Sequence, residues 1–548
     1  MKRVLALLLC AAMLPLTACG IQPQIDPGPQ YEANVAQNWE GAVSIELSDE
    51  VVKVDGETAP TDETAAVYTG APIVYYESGH DFTYGEGTEA DAHSAEEAAA
   101  HTVVTIRQPG EYILRGELSA GQIAVDLGED AEDDINARVT LVLDGVNITC
   151  TVAPAVIFYN VYECGSDDAE TAVKDVDTTH AGANVYINGG TVNTVNGSYV
   201  ARIYKPGTVE LNEDGTEVED AKKLHKYDAA FYSKMSMNMD GGGVLHINAE
   251  NEGLDTELHL TINGGNIDIK SGNDGINTNE DNVSVTTING GRVQITVTGE
   301  TGEGDGIDSN GWLVINEGAT VIASACADSA DAGIDSDMGI HIADGSLVIA
   351  SGHMLDRIEG AEQNYAVFQF GEIRPGREHL TLKGSDGAEI VSVEPANDYS
   401  VLLVSMDNLL PGEYTLWSGE TQLGHSGVRT GGMGGFAGGG GRPGGMMPGG
   451  MQSPDRMEPP EGFDPGNMPE IPVWNEGMER PEPPAEFDGG NLPFVPADLP
   501  EGMQPPQGDF GPGFAPGGFG GGERTAAEGI FTIEAKENYF SGVGELAE

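Results

Sequence analysis

Four seven-residue segments repeat one arrangement of oxygen-bearing side chains: Asn251-Glu-Gly-Leu-Asp-Thr-Glu257, Asn273-Asp-Gly-Ile-Asn-Thr-Asn279, Gly304-Asp-Gly-Ile-Asp-Ser-Asn310 and Asp331-Ala-Gly-Ile-Asp-Ser-Asp337. Carboxylates and carboxamides without a histidine or cysteine cluster suit a hard cation, above all Ca²⁺, which takes about six to eight oxygens at about 2.3–2.6 Å. The whole chain leans the same way. Its 548 residues carry 25 Lys+Arg against 89 Asp+Glu, a formal charge of −64. Such a surface repels nucleic acid and anionic lipid, so a DNA- or RNA-binding role is excluded and cations become the natural partners.

The elements that must position these groups follow from the residues between them. Each segment is followed by an alternating strand, a turn and another alternating strand, as in Leu260-Thr-Ile-Asn-Gly-Gly-Asn-Ile-Asp-Ile269 and Ile340-His-Ile-Ala-Asp-Gly-Ser-Leu-Val-Ile349. Weaker copies precede them at 139–148 and 185–192. Strict alternation of β-branched with polar residues means strands with one buried face. The aligned positions 255, 277, 308 and 335 are 22, 31 and 27 residues apart. That spacing, with three short strands and Asn-Gly or Gly-Gly turns, fits one coil of a parallel β-helix and is too short for a propeller blade.

Stacked coils assign the faces. Leu254, Ile276, Ile307 and Ile334 point inward, and the next column, Asp255, Asn277, Asp308 and Asp335, points outward. Thr256, Thr278, Ser309 and Ser336 line up inside or at a corner, and Glu257, Asn279, Asn310 and Asp337 point outward again. Coils about 4.8 Å apart place stacked oxygens within reach of one bridging Ca²⁺. The expected ligands are Asp255, Asp274, Asn277, Asn279, Asp305, Asp308, Asn310, Asp335 and Asp337. A second reading stays open, in which these residues only shape turns and solvate an outer face.

The ends of the chain set its compartment. Lys2 and Arg3 precede the apolar run Val4 to Leu16, and Leu16-Thr-Ala-Cys19 places small residues before a cysteine. This has the form of a secretory signal, and its last residues are those of a bacterial lipobox, so Cys19 is the expected lipidation site and anchor. Cys150 and Cys164 are close in sequence in what would be an oxidising compartment, so a disulfide between them is expected. Cys326, in the apolar run 321–327, reads as a small buried hydrophobe. Near the other end, 431–451 holds 12 glycines in 21 positions. It leads into Pro/Glu/Met-rich sequence that cannot bury a core and is expected to be disordered. Alternation returns at Ile530-Phe-Thr-Ile533.

Together, the Asp-Gly-Ile-Asp-Ser coils, the Leu-(Thr/Val)-Ile-Asn-Gly-Gly strands and the lipobox resemble the clostridial carbohydrate-binding domain-containing lipoproteins. The resemblance extends through the strands at 363–370, 380–387, 399–405 and 411–417. It covers roughly residues 100 to 425 plus a final strand near Gly529 to Ala535. It implies an extracellular, pectate-lyase-like right-handed parallel β-helix that binds cellulose and acidic plant polysaccharides. It also implies Ca²⁺ at the aspartates that match the coil motif. The chain departs from the pattern in its long C-terminal insertion and in the charged excursion Tyr204 to Lys226.

The expectation is therefore an all-β chain. Its parts are a signal and lipobox over 1–19, a tether over 20–40, an N-terminal β/cap region over 41–130 and a parallel β-helix over 131–352. A small C-terminal β region over 353–425 follows, then a disordered insertion over 426–525 and a returning strand and tail over 526–548. The function read from it is polysaccharide binding at the outer face of a bacterial membrane, with Ca²⁺ as cofactor and bridge to glycan carboxylates. No catalytic residue is assigned, because an active site occurs once whereas these aspartates recur in every coil. Trp312 is a candidate sugar platform. Lys270 and Arg292 are the basic residues a calcium-dependent lyase, the first alternative, would use to take an α-proton. The second alternative is a structural or adhesive spike that self-associates through its ends.

Overall fold

A computed structural model describes residues 39–429, 528–534 and 536–546. The signal, Cys19, the tether and most of the Gly/Pro/Met-rich insertion lie outside the described residues. Nearly all the rest is β-structure, and its frame is three parallel ladders.

The alternating segments fall into these ladders in register. In the first, Ala183–Ile187, Met237–Gly241, Leu260–Ile262, Val285–Ile288, Trp312–Ile315 and Gly339–Ile342 pair in succession. In the second, Val192–Gly197, Val244–Ala249, Asn266–Ser271, Arg292–Val297, Thr320–Ser324 and Leu347–Gly352 do the same. The long strand Val139–Cys150 precedes both and is itself paired in parallel with Gly110–Leu118. The third ladder runs from Thr102–Ile106 through Gly121–Asp126, Val156–Asn160, Ala229–Ser233, Glu252–Thr256 and Ile276–Thr278 to Ile307–Ser309. Like residues stack: Leu254 lies on Ile276 and Ile276 on Ile307, and Asp255 lies on Asn277 and Asn277 on Asp308. The fourth copy continues the stack without forming a strand, since Asp335 N–H donates to Ile307 O at 2.7 Å and Asp337 N–H to Ser309 O at 3.1 Å.

Period-two alternation explains the core. Leu254, Ile276, Ile307 and Ile334 are fully buried, as are Ile262, Ile288 and Ile315 of the first ladder. Thr256, Thr278, Ser309 and Ser336 are buried too, and the Thr278 and Ser309 hydroxyls share a hydrogen bond of 2.9 Å between coils. The glycine before each inward residue is required by close approach. A Cβ on Gly306 would lie 2.2 Å from Gly333 O, and one on Gly275 would lie 2.5 Å from Gly306 O.

Both ends of the stack carry other structure. At the start, Val43–Leu47 pairs with Gly110–Leu118 and with the hairpin Lys53–Val54/Glu57–Thr58. The Ala/Glu/His stretch 89–101 holds a short helix, Ala95–Ala99, whose first turn is capped by Ser94 Oγ accepting from Glu97 N–H at 3.2 Å. At the far end, Tyr399–Met406 pairs antiparallel with Leu347–Gly352 and covers the edge that the second ladder would leave open. Phe531–Ile533 joins Gly412–Ser418, and Glu537–Glu545 joins Tyr365–Arg374. A separate apolar core of Phe368, Leu402, Phe531 and Phe540 forms there. Among the described residues no helix is long and apolar enough to cross a membrane.

The expected disulfide is not formed. Cys150 ends its strand buried in the main core, whereas Cys164 lies on the loop after Val156–Asn160, and both are free thiols. Cys326 is a buried free thiol as well.

Candidate functional site

The acidic copies converge on the outer side of the third ladder. Two files of oxygen donors run there coil over coil. One is the column Asp255, Asn277, Asp308, Asp335. The other is the residue before each glycine, Glu252, Asp274 and Asp305, aligned by the bonds from Gly253 N–H to Asp274 O and from Gly275 N–H to Asp305 O. Asn277 Nδ2 cross-links the files by donating to Glu252 Oε1 at 3.1 Å, and Asn279 Nδ2, from the next outward column, donates to Asp255 Oδ1. Asp274 Oδ1 accepts from Asp305 N–H at 2.7 Å, and Asp305 Oδ1 from Ala332 N–H at 2.6 Å. Each pre-glycine aspartate thus spends one oxygen tying its coil to the next.

The expectation that these side chains meet solvent is corrected. Asp255 is 0 %, Glu252 5 % and Asn277 6 % exposed. The cover is the excursion that ends at Lys226, with the segment that follows it. Lys226 Nζ donates to Asn279 Oδ1, the Tyr232 hydroxyl donates to Glu257 Oε1, and Arg202 pairs with Asp228 at 3.1 Å. His225 stacks on Tyr227 with ring centroids 4.4 Å apart. Above the cluster opens a cleft of about 500 Å³ lined by Arg202, Lys223, His225, Lys226, Glu257 and Asn279, among others.

Carboxylates taken from water and crowded together resist ionisation. Burial, then the Asp228 carboxylate, pushes Glu252 up to about 7. Burial, then Asp356 and Asp308, does the same for Asp335, also to about 7. Asp255, Asp274 and Asp305 are all held well above the usual carboxylate range, burial first and neighbouring acids next. Burial and Arg202 lower His225 to about 4, so its imidazole is neutral at neutral pH.

Three buried oxygens at the heart of the cluster, Glu252 Oε2, Asp255 Oδ2 and Asn277 Oδ1, have no hydrogen-bond partner while the carboxylates are ionised; protonation lets Glu252 and Asp255 share a hydrogen bond. An orphaned buried acceptor costs about 1–3 kcal/mol, and more when charged. All three come from adjacent coils, and all are hard oxygen donors, so the residues fit Ca²⁺ in type. Among the described residues no group of three or more His, Cys, Asp or Glu is arranged to hold a metal ion; the set here is two carboxylates and a carboxamide.

The other candidates are distributed as follows. Asn310 Nδ2 donates to Asn279 O at 2.8 Å and to Asp281 Oδ1 at 3.2 Å, placing Asn310 at the cleft. Asp308 and Asp337 continue the outer columns. Trp312, half-buried, begins the first-ladder strand that follows. Lys270 and Arg292 are not brought to the cluster. They sit on the second ladder, Lys270 exposed and Arg292 bonded to Gln294 Oε1 at 2.6 Å. A corner separates each of them from the acidic copies. The basic groups that do reach the cluster, Arg202, Lys226 and His225, were not singled out from sequence, and neither was Glu252. Glu252 was visible in the alignment, in the column of Asp274 and Asp305.

Fold and site define a class: an all-β protein of large parallel sheets that carries a covered, coil-stacked acidic cluster. A family model described as "Carbohydrate-binding domain-containing protein" matches residues 100–166 and 203–398, just under half of the chain, and spans the whole cluster. A protein of that same description from Acetivibrio thermocellus is 29 % identical over 170 residues, 31 % of this chain. The matched stretch spans 45 % of that relative's length. The chain is therefore similar to clostridial carbohydrate-binding proteins over its ladder region. A solved structure titled as the polysaccharide lyase-like protein from C. thermocellum, a gadolinium derivative, aligns at 20 % identity with a TM-score of 0.31. It covers 59 % of this chain and 94 % of its own.

Proposed function

We propose that the protein binds polysaccharide outside the cell, and that the acidic cluster holds Ca²⁺ through which acidic glycans such as polygalacturonate are bridged. The observation that carries this reading is the trio of buried oxygens without a partner in the ionised cluster, Glu252 Oε2, Asp255 Oδ2 and Asn277 Oδ1, bonded through Asn279 to the lining of a cleft. A chain of −64 charge repels a uronate unless a cation stands between them. When bound, Ca²⁺ supplies that positive charge. Glu252, Asp255 and Asn277 would hold it, with Asp274, Asp305, Asp308 and Asp335 as the donors of the coils beyond.

In this reading the coils wind as a right-handed parallel β-helix, and acyl chains on Cys19 tether the protein to the outer face of a bacterial membrane. Cellulose is the uncharged alternative ligand, for which no cation would be needed. The test is retention of the full chain on immobilised polygalacturonate in calcium and in chelator. Retention lost in chelator supports the bridge, and equal retention in both refutes it.

A calcium-dependent lyase is the second reading, favoured by one observation. His225, beside the cleft, is neutral at neutral pH, and neither ring nitrogen has a partner. It lines the cleft, as Lys270 and Arg292 do not, but its buried nitrogens and a pKa lowered to about 4 make it a weak base there. Ultraviolet absorbance from unsaturated uronides would establish that activity; its absence under calcium-replete conditions would leave binding alone.

A further inference from the structure

The asparagines that follow the first-ladder strands, Asn263, Asn289 and Asn316, have no part in the acidic cluster. They build a different surface, on the outer side of the first ladder. Asn289 Nδ2 donates to Asn263 Oδ1 at 2.8 Å and Asn316 Nδ2 to Asn289 Oδ1 at 2.7 Å, so the three carboxamides form a file across three coils. A carboxamide carries two N–H donors and an oxygen with two lone pairs, and the file uses only part of that capacity. It leaves Asn263 Nδ2 and Asn316 Oδ1 unspent at its two ends. Beside it runs the column Asn238, Thr261, Thr287 and Val314, in register by the pairing of the ladder. These residues face outward because Ile262, Ile288 and Ile315, next to them along the strands, are buried.

The segment 174–179 stands over the two columns as a wall. The Thr178 hydroxyl donates to Thr261 Oγ1 at 2.7 Å, and Asn238 Nδ2 donates to Thr178 O at 2.7 Å. Between wall and ladder lies a cleft of about 410 Å³, within the range of ligand sites. Its floor crosses four coils about 4.8 Å apart, so it extends about 14 Å along the stack. No floor residue carries a charge. The charges are on the wall, where Lys174 pairs with Asp175 at 2.5 Å and Asp177 adds a second carboxylate, so an anionic chain gains nothing there. Thr287 adds a half-buried hydroxyl to the carboxamides, and Val314 in the floor and Val176 in the wall add apolar surface. Trp312, half-buried and two residues before Val314 on the same face, borders the column.

We propose that this cleft is a second glycan site, for a stretch of neutral polysaccharide, and that it works without a metal. A sugar hydroxyl both donates and accepts, as do the threonine hydroxyl and the carboxamide pair that line the floor. The C–H faces of the sugar rings would lie on Val314 and Val176, with the Trp312 ring as a platform at the border. An elongated floor of repeating amides suits a repeating chain better than a single compact ligand. The site shares no lining residue with the cleft over the acidic cluster, and it stands whether or not calcium binds there. Its wall lies within 167–202, outside the residues that the family model matches.

The experiment is calorimetric titration of the full chain with cellohexaose, xylohexaose, mannohexaose and laminarihexaose, each in calcium and in chelator, repeated on Thr287→Val/Asn289→Ala. At least one sugar should bind with the same affinity in both buffers. The double variant should bind it about tenfold or more weakly, the change expected when two neutral hydrogen bonds are lost. Hydrogen exchange on the wild type gives a readout that needs no variant: the sugar should slow the amides of 174–179 and leave those of 222–228 unchanged. Absence of binding by all four sugars overturns the proposal, as does equal binding by wild type and variant without protection of 174–179. Either result leaves the calcium reading untouched. Binding that disappears in chelator also overturns it, since that places the sugar at the acidic cluster.

Discussion

Replacing Glu252 by Gln should reverse the order of stability between calcium and chelator. The side chain is 5 % exposed, its Oε1 accepts from Asn277 Nδ2 at 3.1 Å, and its Oε2 has no partner while both it and Asp255 are ionised. Burial and Asp228 raise its pKa from the ordinary 4.5 to about 7. A carboxyl raised in the folded state contributes stability that is complete below the unfolded pKa and is lost as pH rises through the folded one. At about 1.4 kcal/mol per pH unit, the charged form costs the apo protein roughly 3 kcal/mol at pH 8. Gln keeps the Oε1 acceptor, removes the charge and supplies donors toward Asp255 Oδ2. In chelator at pH 8, Glu252→Gln should therefore unfold at a higher urea concentration than wild type, by up to that amount. In calcium the wild type gains about 2.7 kcal/mol when the free ion is a hundredfold above its dissociation constant. The variant, having lost a charged ligand, gains much less, and the order reverses. Equal loss of stability in both buffers would refute the reasoning, since it would make Glu252 a plain structural residue.

Four further outcomes follow from the same geometry. Gly306→Ala should destabilise by about 1–3 kcal/mol or more, because its Cβ would meet Gly333 O at 2.2 Å, while Gly189→Ala, with open space around it, should be near neutral by the same melt. Ile276→Ala, emptying a fully buried position of the stack, should cost about 2–5 kcal/mol in urea denaturation. Calcium titrated at pH 6.5 should release protons, and its affinity should fall from pH 8 to 6, because Glu252 and Asp335, raised to about 7, must give up protons to become ligands. Calorimetry in buffers of different ionisation enthalpy reads that release. The double variant Lys270→Ala/Arg292→Ala should retain polygalacturonate as the wild type does, since both residues lie on the second ladder and neither lines the cleft.

What the sequence made legible is what repeats. Leu254, Ile276, Ile307 and Ile334 are buried because alternation along a strand has period two, and the same period set Asp255, Asn277 and Asp308 on one file. Glu252 was within reach of that logic, one column over from the residues chosen, but its extra methylene and different residue type hid it beside Asp274 and Asp305. The burial of the file was not legible. It depends on Lys226, Arg202 and Tyr232 arriving from outside the aligned copies, and a non-repeating charged excursion carries no periodicity to say where it will lie. Lys270 and Arg292 show the opposite failure. They stand close to the copies in sequence, yet the turn into the second ladder carries them around a corner. Cys150 and Cys164 are likewise near in sequence, with one of them committed to the core.

The account is tested most directly by diffraction from crystals of the full chain grown in calcium, with anomalous data that distinguish Ca²⁺ from water. It predicts an anomalous peak about 2.3–2.6 Å from Glu252 Oε2, Asp255 Oδ2 and Asn277 Oδ1. A peak-free cluster in saturating calcium would contradict it.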